Sequence, residues 1–306
     1  MGGALDGFAI VSLPILVGYL VARFGLLGPG ASAQINRLVF FAIMPALLFT
    51  VVSGSELSVV FSKLALVSLI TALLAFALYG LLAGLIWRRP AGAVVVGALC
   101  SGYTNAGNIG LPIALHMLGN AALVAPVILF QTVVFSPLAL AAMSLAAGKK
   151  ASPKQVLVAG FANPVIIGST AGLLAAVLPW QAPEVLAGAV GMIGWAGVPL
   201  MLLAMGLSLH GLPVFAAGPG RRDALVAIIF KLIVMPLAGY GLARFAFGLD
   251  AFSIYVVTVL ACLPSAGNTF NYAQRYNVSV ALARDTVTGT TVLGALVLLA
   301  TAAWLG

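Results

Sequence analysis

Apolar runs of about 20 residues or more, separated by short clusters of turn-forming and charged residues, fill this chain from end to end. An α-helix rises 1.5 Å per residue and needs about 20 apolar residues to cross a hydrocarbon core roughly 30 Å thick. The pattern predicts ten spanning helices, near 6–27, 33–53, 61–87, 91–118, 121–147, 154–178, 184–210, 223–247, 250–276 and 279–305. The connections are short. The markedly polar ones are Arg88-Arg89-Pro90, the lysine-bearing turn from Gly148 to Lys154, and the turn from Gly218 to Asp223. None has room for a soluble domain.

Two spans are interrupted at their centres. Span 4 carries Asn105-Ala-Gly-Asn108 and span 9 carries Ser265-Ala-Gly-Asn268, each within a strongly apolar segment. No water reaches a bilayer core, so a helix that unwinds there must direct its freed backbone groups at protein, solvent or ligand. Gly102, Gly107 and Gly110 tolerate unwound backbone, and Pro112 suits the first turn of a restarted helix; Pro264, Gly267 and Asn268 repeat the arrangement. Both breaks lie about 14 residues from the nearer predicted helix start, or roughly 21 Å, a similar depth that lets them cross. Each restarted half presents unpaired N–H groups and a partial positive charge, and each ended half presents carbonyls. Such a centre suits an anion. The amides of Asn105, Asn108, Asn268 and Asn271 and the hydroxyls of Ser265 and Thr269 add orientable donors and acceptors. The bland alternative is a pair of kinks, each stabilised by an Asn amide and binding nothing.

Composition agrees with the pattern. The chain is 63% hydrophobic and 7% charged, against roughly 25% charged in a soluble domain, so it is an integral membrane protein. Its net charge of +8 is spread in short pairs between apolar runs and not gathered into one patch, which argues against nucleic acid as a partner. Instead the charges orient the chain. With the N-terminus outside, Arg23, Arg37, Arg88, Arg89, Lys149, Lys150, Lys154, Arg221, Arg222, Arg275 and Arg284 fall inside, against Lys63 and Arg244 outside. Both termini are then expected to face out. Asp6 is the only charge before Arg23, so the first run lacks the basic lead of a cleaved signal peptide and is expected to remain as a helix.

The chain also repeats itself. Pro14-Ile-Leu-Val-Gly18 resembles Pro164-Val-Ile-Ile-Gly168, Met44-Pro-Ala-Leu-Leu48 resembles Val198-Pro-Leu-Met-Leu202, and the Ala-Gly-Asn triplets follow in the same order. A duplicated unit of five helices is odd-numbered, so its second copy enters the membrane from the opposite side. The expected fold is all-α and membrane-integral: ten helices as two inverted five-helix repeats, 1–148 and 154–306, with crossed broken helices in spans 4 and 9.

Lys231 is the one charge well inside a span, and no Asp or Glu lies near mid-membrane to pair with it. It has three readings: snorkelling to the cytoplasm, fixing the crossing by resting on broken-helix carbonyls as a substitute for a metal ion, or contacting a substrate carboxylate. Gln131, alone at central depth in span 5, either bonds a neighbouring helix or lines the site. Cys100 and Cys262 read as buried thiols, His116 and His210 as interfacial, and Trp87, Trp180 and Trp304 as anchors near span ends. No metal or cofactor is expected.

The Asn-Ala-Gly-Asn-Ile-Gly-Leu-Pro run from Asn105, the Pro-Ser-Ala-Gly-Asn-Thr run from Pro264 and the prolines of spans 2 and 7 resemble the auxin efflux carrier family, which joins bacterial permeases to plant PIN-formed carriers. The resemblance covers nearly the whole chain. It implies a fold like that of bile-acid and sodium/proton carriers, with a scaffold of spans 1, 2, 6 and 7 and a moving transport part of spans 3–5 and 8–10. It further implies organic-anion substrates such as auxin, malonate or other carboxylates, contact with substrate at Asn108 and Asn268, and homodimerisation. Plant members carry a long hydrophilic loop after span 5, and here a short lysine-bearing turn stands in its place.

The expectation is therefore a secondary carrier of a small carboxylate in a bacterial inner membrane, working by elevator-type alternating access. Its substrate-binding residues would be Asn105, Gly107, Asn108, Pro112, Gln131, Lys231, Pro264, Ser265, Gly267, Asn268, Thr269 and Asn271. A sodium-coupled symporter and a non-transporting receptor stand as alternatives. An intramembrane enzyme would want a catalytic dyad or acidic ligands at depth, and the six acids fall near span ends.

Overall fold

Helix starts follow the local chemistry of the sequence. In the computed structural model, which describes residues 2–28, 30–54, 62–148, 163–178, 183–210 and 220–306, with the side chains of residues 2–8 left aside, several polar residues cap the apolar runs. Ser62 accepts from Ala65 N at 3.2 Å, Asn120 from Ala122 N at 2.9 Å, Asn163 from Val165 N at 2.9 Å and Asp250 from Ser253 N at 3.0 Å. Each satisfies a donor that the first helical turn leaves orphaned. The expectations for Asp6, Lys149, Lys150, Lys154, Trp180 and the start of span 6 fall outside the described residues and side chains.

The helices in chain order are α1 (Gly2–Arg23), α2 (Ala31–Ser53), α3 (Lys63–Ile86), α4 (Ala91–Gly102), α5 (Ala106–Gly110 continued by Leu111–His116), α6 (Ala121–Ala146), α7 (Pro164–Val177), α8 (Glu184–Leu209), α9 (Arg221–Ala246), α10 (Ala251–Cys262), α11 (Gly267–Tyr276) and α12 (Val280–Leu305). Six of them, α2, α3, α6, α8, α9 and α12, are long and apolar enough to cross a membrane, and α1, α4, α7 and α10 hold shorter apolar stretches. The described residues contain no strand, only an isolated antiparallel bridge between Thr104 and Ser265.

Two helix pairs pack with backbones almost touching: α1 against the second half of α8, and α7 against α2. Glycine makes this possible. A Cβ at Gly18 would stand 2.2 Å from Leu203 O, and one at Gly168 would stand 2.3 Å from Pro45 O. These are the two glycines that the sequence matches in Pro14–Gly18 and Pro164–Gly168. Around α1, α2, α5 and α8 lies one apolar core, with Leu47, Leu48, Leu111, Met201 and Leu263 fully enclosed. A second core, with Tyr79, Cys100, Phe135 and Met143, joins α3, α4, α6, α9 and α12. The interrupted segments run between the two.

α3 and α9 end alike. Each closes in a wide π-turn, with Trp87 N on Leu82 O (3.0 Å) and Arg89 N on Ala83 O (2.8 Å) in one, and Phe247 N on Leu242 O and Leu249 N on Ala243 O (both 2.9 Å) in the other. A left-handed residue follows, Arg88 at φ 50° and Gly248 at φ 56°. The short helices α4 and α10 come next, 12 residues each and displaced by a constant 160 positions (91 and 251, 102 and 262).

Candidate functional site

Helical hydrogen bonding stops at Gly102 in one segment and at Cys262 in the other. The residues beyond are extended: Tyr103 at φ −87°, ψ 106°, Leu263 at φ −56°, ψ 141° and Ala266 at φ −70°, ψ 138°. They meet. Asn105 N donates to Pro264 O at 2.8 Å and Ala266 N donates to Tyr103 O at 2.9 Å. Two segments that leave the helical ladder in apolar surroundings thus satisfy part of each other's main chain. Ser265 locks the arrangement: its N–H donates to Thr290 Oγ1 at 3.1 Å, and its hydroxyl donates to Cys100 O at the end of α4.

Past the bridge both chains become helical again. Asn105 O accepts from Ile109 N at 3.2 Å and from Gly110 N at 3.0 Å, opening α5 with a π-turn over Ala106–Gly110. Such turns recur at functional sites because they turn side chains and backbone groups out of register. Asn105, Gly107 and Asn108 are half-buried there, and a Cβ on Gly107 would come 3.3 Å from Met44 Cε, so α2 walls this side. Pro112 falls in the first turn of the α-helical stretch Leu111–His116, as its position suggests, while a π-turn over Ala106–Gly110 already resumes the helix ahead of it, and Pro112 is buried. At the start of α11, Gly267 is half-buried and Asn268 and Asn271 are exposed, three residues apart and so on one face. Thr269 turns inward, donating to Ala266 O at 2.7 Å and accepting from Cys100 Sγ at 3.7 Å.

The predicted residues therefore divide. Asn105, Gly107, Asn108, Gly267, Asn268 and Asn271 stay accessible at the two restarted ends, where first-turn N–H groups lack helical partners. Pro112, Pro264, Ser265 and Thr269 are buried, the last two engaged in holding the segments together.

Lys231 lies in a π-turn of α9, Phe230–Val234, and is fully buried, which removes the snorkelling reading. Its Nζ donates to Ala261 O at 2.7 Å and approaches Met235 Sδ at 3.0 Å. The Lys231 amine thus rests on the carbonyl end of α10, where the helix dipole is negative. Gln131 occupies another π-turn, Gln131–Phe135, and donates through Nε2 to Thr104 Oγ1, while Gln131 O accepts from the Tyr103 hydroxyl at 3.1 Å.

A cleft of about 360 Å³, counting its open mouth, lies on this carbonyl side, lined by Ser68, Thr71, Thr104, Gln131, Met235 and Ala261 among others. Ser68 Oγ is buried in it without a hydrogen-bond partner. The break asparagines do not line it, so the cleft and the half-helix ends are two separate places. Sequence reasoning missed Tyr103, Thr104, Ser136 and Tyr272; the last two share a hydrogen bond of 2.6 Å across α6 and α11. Thr104 carried a signal, since it immediately precedes the Asn105 run.

A family model described as a membrane transport protein matches residues 7–304. The chain is similar to a protein of Rhizobium meliloti named "Putative malonate transporter", 29% identical over 91% of this chain and 88% of the relative. It also resembles an uncharacterized transporter of Methanocaldococcus jannaschii at 26% identity over 96% of both chains, and another of Methanothermobacter thermautotrophicus at 24% over 86% of both.

Proposed function

Because the chain belongs to the membrane transport protein family, that of the auxin efflux carriers, we propose that it is a secondary carrier for a small organic anion, a carboxylate, working by alternating access. One observation carries the reading: the mutual hydrogen bonding of Tyr103–Asn105 with Pro264–Ala266, which leaves two helix starts and their asparagines accessible beside it. Each start has a partial charge of roughly +0.5, so the pair suits an anion without any cationic side chain. Asn108 and Asn268 orient it. The name of the Rhizobium relative supports malonate as the first substrate to try.

The short helices α4 and α10, with their continuations α5 and α11, are read as single interrupted spans, which gives ten crossings. The constant offset of α4 and α10, the matched ends of α3 and α9, and the paired contacts of Gly18 and Gly168 support two inverted repeats. In this reading α1, α2, α7 and α8 form the frame against which the remaining helices slide as an elevator, in a bacterial inner membrane with both termini outside. Homodimerisation through the frame completes the proposal.

Lys231 favours a carrier that needs no sodium, because its amine already occupies a carbonyl that a cation would otherwise use. The test is uptake of labelled malonate and other mono- and dicarboxylates into proteoliposomes, with and without sodium and pH gradients. Uptake abolished without sodium would favour the symporter, and saturable binding without flux would favour a receptor.

A further inference from the structure

The turn that closes α3 and the turn that closes α9 have the same backbone, yet they differ at the left-handed position: Gly248 in one, Arg88 in the other. A residue with a Cβ is disfavoured at positive φ, and glycine is the relaxed choice. Arginine kept in a strained conformation that the matching turn assigns to glycine points to a use for its side chain. Its surroundings show what the use is. Arg89 pairs with Asp223 at 2.9 Å, which ties this turn to the start of α9. Arg221 and Arg222 are thereby brought beside it, and the Arg222 guanidinium stacks 4.6 Å from the Trp87 ring.

Among the described residues Asp223 pairs with Arg89, and the neighbouring Arg88, Arg221 and Arg222 are exposed. Immediately below, Leu85 and Ile86 are each 71% exposed and Leu225 is 41% exposed. An apolar collar under a cationic rim, with an indole at the level between, is the profile of an amphiphile that is anionic at its head. Planar guanidinium groups suit phosphate oxygens. We infer that Arg88, Arg221 and Arg222 bind the headgroup of an anionic phospholipid, whose acyl chains lie along Leu85, Ile86 and Leu225. The matching turn, Phe247-Gly248-Leu249, has no cation of its own, and the nearby Arg244 lies over Tyr240 and Phe245.

The experiment is thermal unfolding of the purified full chain in neutral detergent, with added phosphatidylglycerol, phosphatidylcholine or soluble glycerol 3-phosphate. Phosphatidylglycerol is expected to raise the apparent midpoint of the wild type and of Arg244→Gln by about 2–4 °C or more, the scale that ligand excess gives a chain of this size. Arg88→Gly, whose turn can adopt the backbone of Gly248, is expected to unfold no earlier than the wild type without lipid and to lose at least half of that shift. Arg88→Gly combined with Arg222→Gln is expected to lose all of it. Equal shifts with phosphatidylcholine, a full shift with glycerol 3-phosphate alone, or an undiminished shift in Arg88→Gly would overturn the assignment.

Discussion

The side-chain amine of Lys231 donates to the carbonyl oxygen of Ala261 at 2.7 Å, joining α9 to the last turn of α10 across 30 positions of sequence. A buried amine with a carbonyl and a thioether as its partners is costly to place and costly to remove. Lys231→Met keeps the volume and the apolar stem but leaves Ala261 O without its donor. The expected loss of stability is about 1–3 kcal/mol, the penalty for orphaning a buried acceptor. Malonate uptake per folded molecule should fall with it, and chemical unfolding in detergent alongside proteoliposome uptake would read both. Wild-type stability and uptake in the variant would remove Lys231 from the mechanism.

Asn268 presents the opposite case. It is exposed at the start of α11, so Asn268→Ala should change stability by less than about 0.5 kcal/mol, as surface substitutions do. If its amide orients the anion, uptake should drop about tenfold or more, equivalent to roughly 1.4 kcal/mol of barrier. The same comparison applies to Asn108→Ala in α5. Normal uptake by both correctly folded variants would locate the substrate elsewhere, with the cleft between Ser68, Thr104 and Gln131 the next place to test.

Ser265 separates fastening from binding. Its hydroxyl donates to Cys100 O and is wholly buried, so Ser265→Ala should lower stability by about 1 kcal/mol, the net worth of one such hydrogen bond. Apparent substrate affinity should change little where transport survives. A raised KM with unaltered stability would instead assign Ser265 to the substrate.

At Gly168 the constraint is steric. Any side chain meets Pro45 O at 2.3 Å, so Gly168→Ala must push α7 away from α2 at a cost of roughly 1–3 kcal/mol. Gly188→Ala in α8, where a Cβ meets nothing within 4 Å, is the control and should be neutral or slightly stabilising. Matched midpoints for the two would mean that the helix pair tolerates a wider spacing.

Much of this arrangement was readable in the residues. Apolar run length located the long helices α2, α3, α6, α8, α9 and α12, and the glycines, prolines and asparagines around 105 and 265 marked where helical hydrogen bonding stops after Gly102 and Cys262, because local conformational preference acts at that scale. Lys231 stood out as a lone charge. What escaped was pairing. Nothing in either segment says that Tyr103 O receives Ala266 N, since the register of two stretches so far apart in sequence is set only when the helices around them pack. Ser68 and Thr71 were invisible for a related reason: single hydroxyls in apolar helices commonly bond their own backbone, as Thr71 does to Val67 O at 2.8 Å. Pro112 marked the first turn of Leu111–His116, but nothing in the residues announced the π-turn ahead of it.

The bridge between Thr104 and Ser265 also has a mechanical consequence. Two main-chain hydrogen bonds and the Ser265 hydroxyl couple the two interruptions directly, so displacing one half-helix start alone would have to break them. A guest held between them would ride in a cradle of fixed dimensions, and the work of opening to either side would fall on surfaces farther out, where helices slide on side chains and no backbone pairing has to be undone.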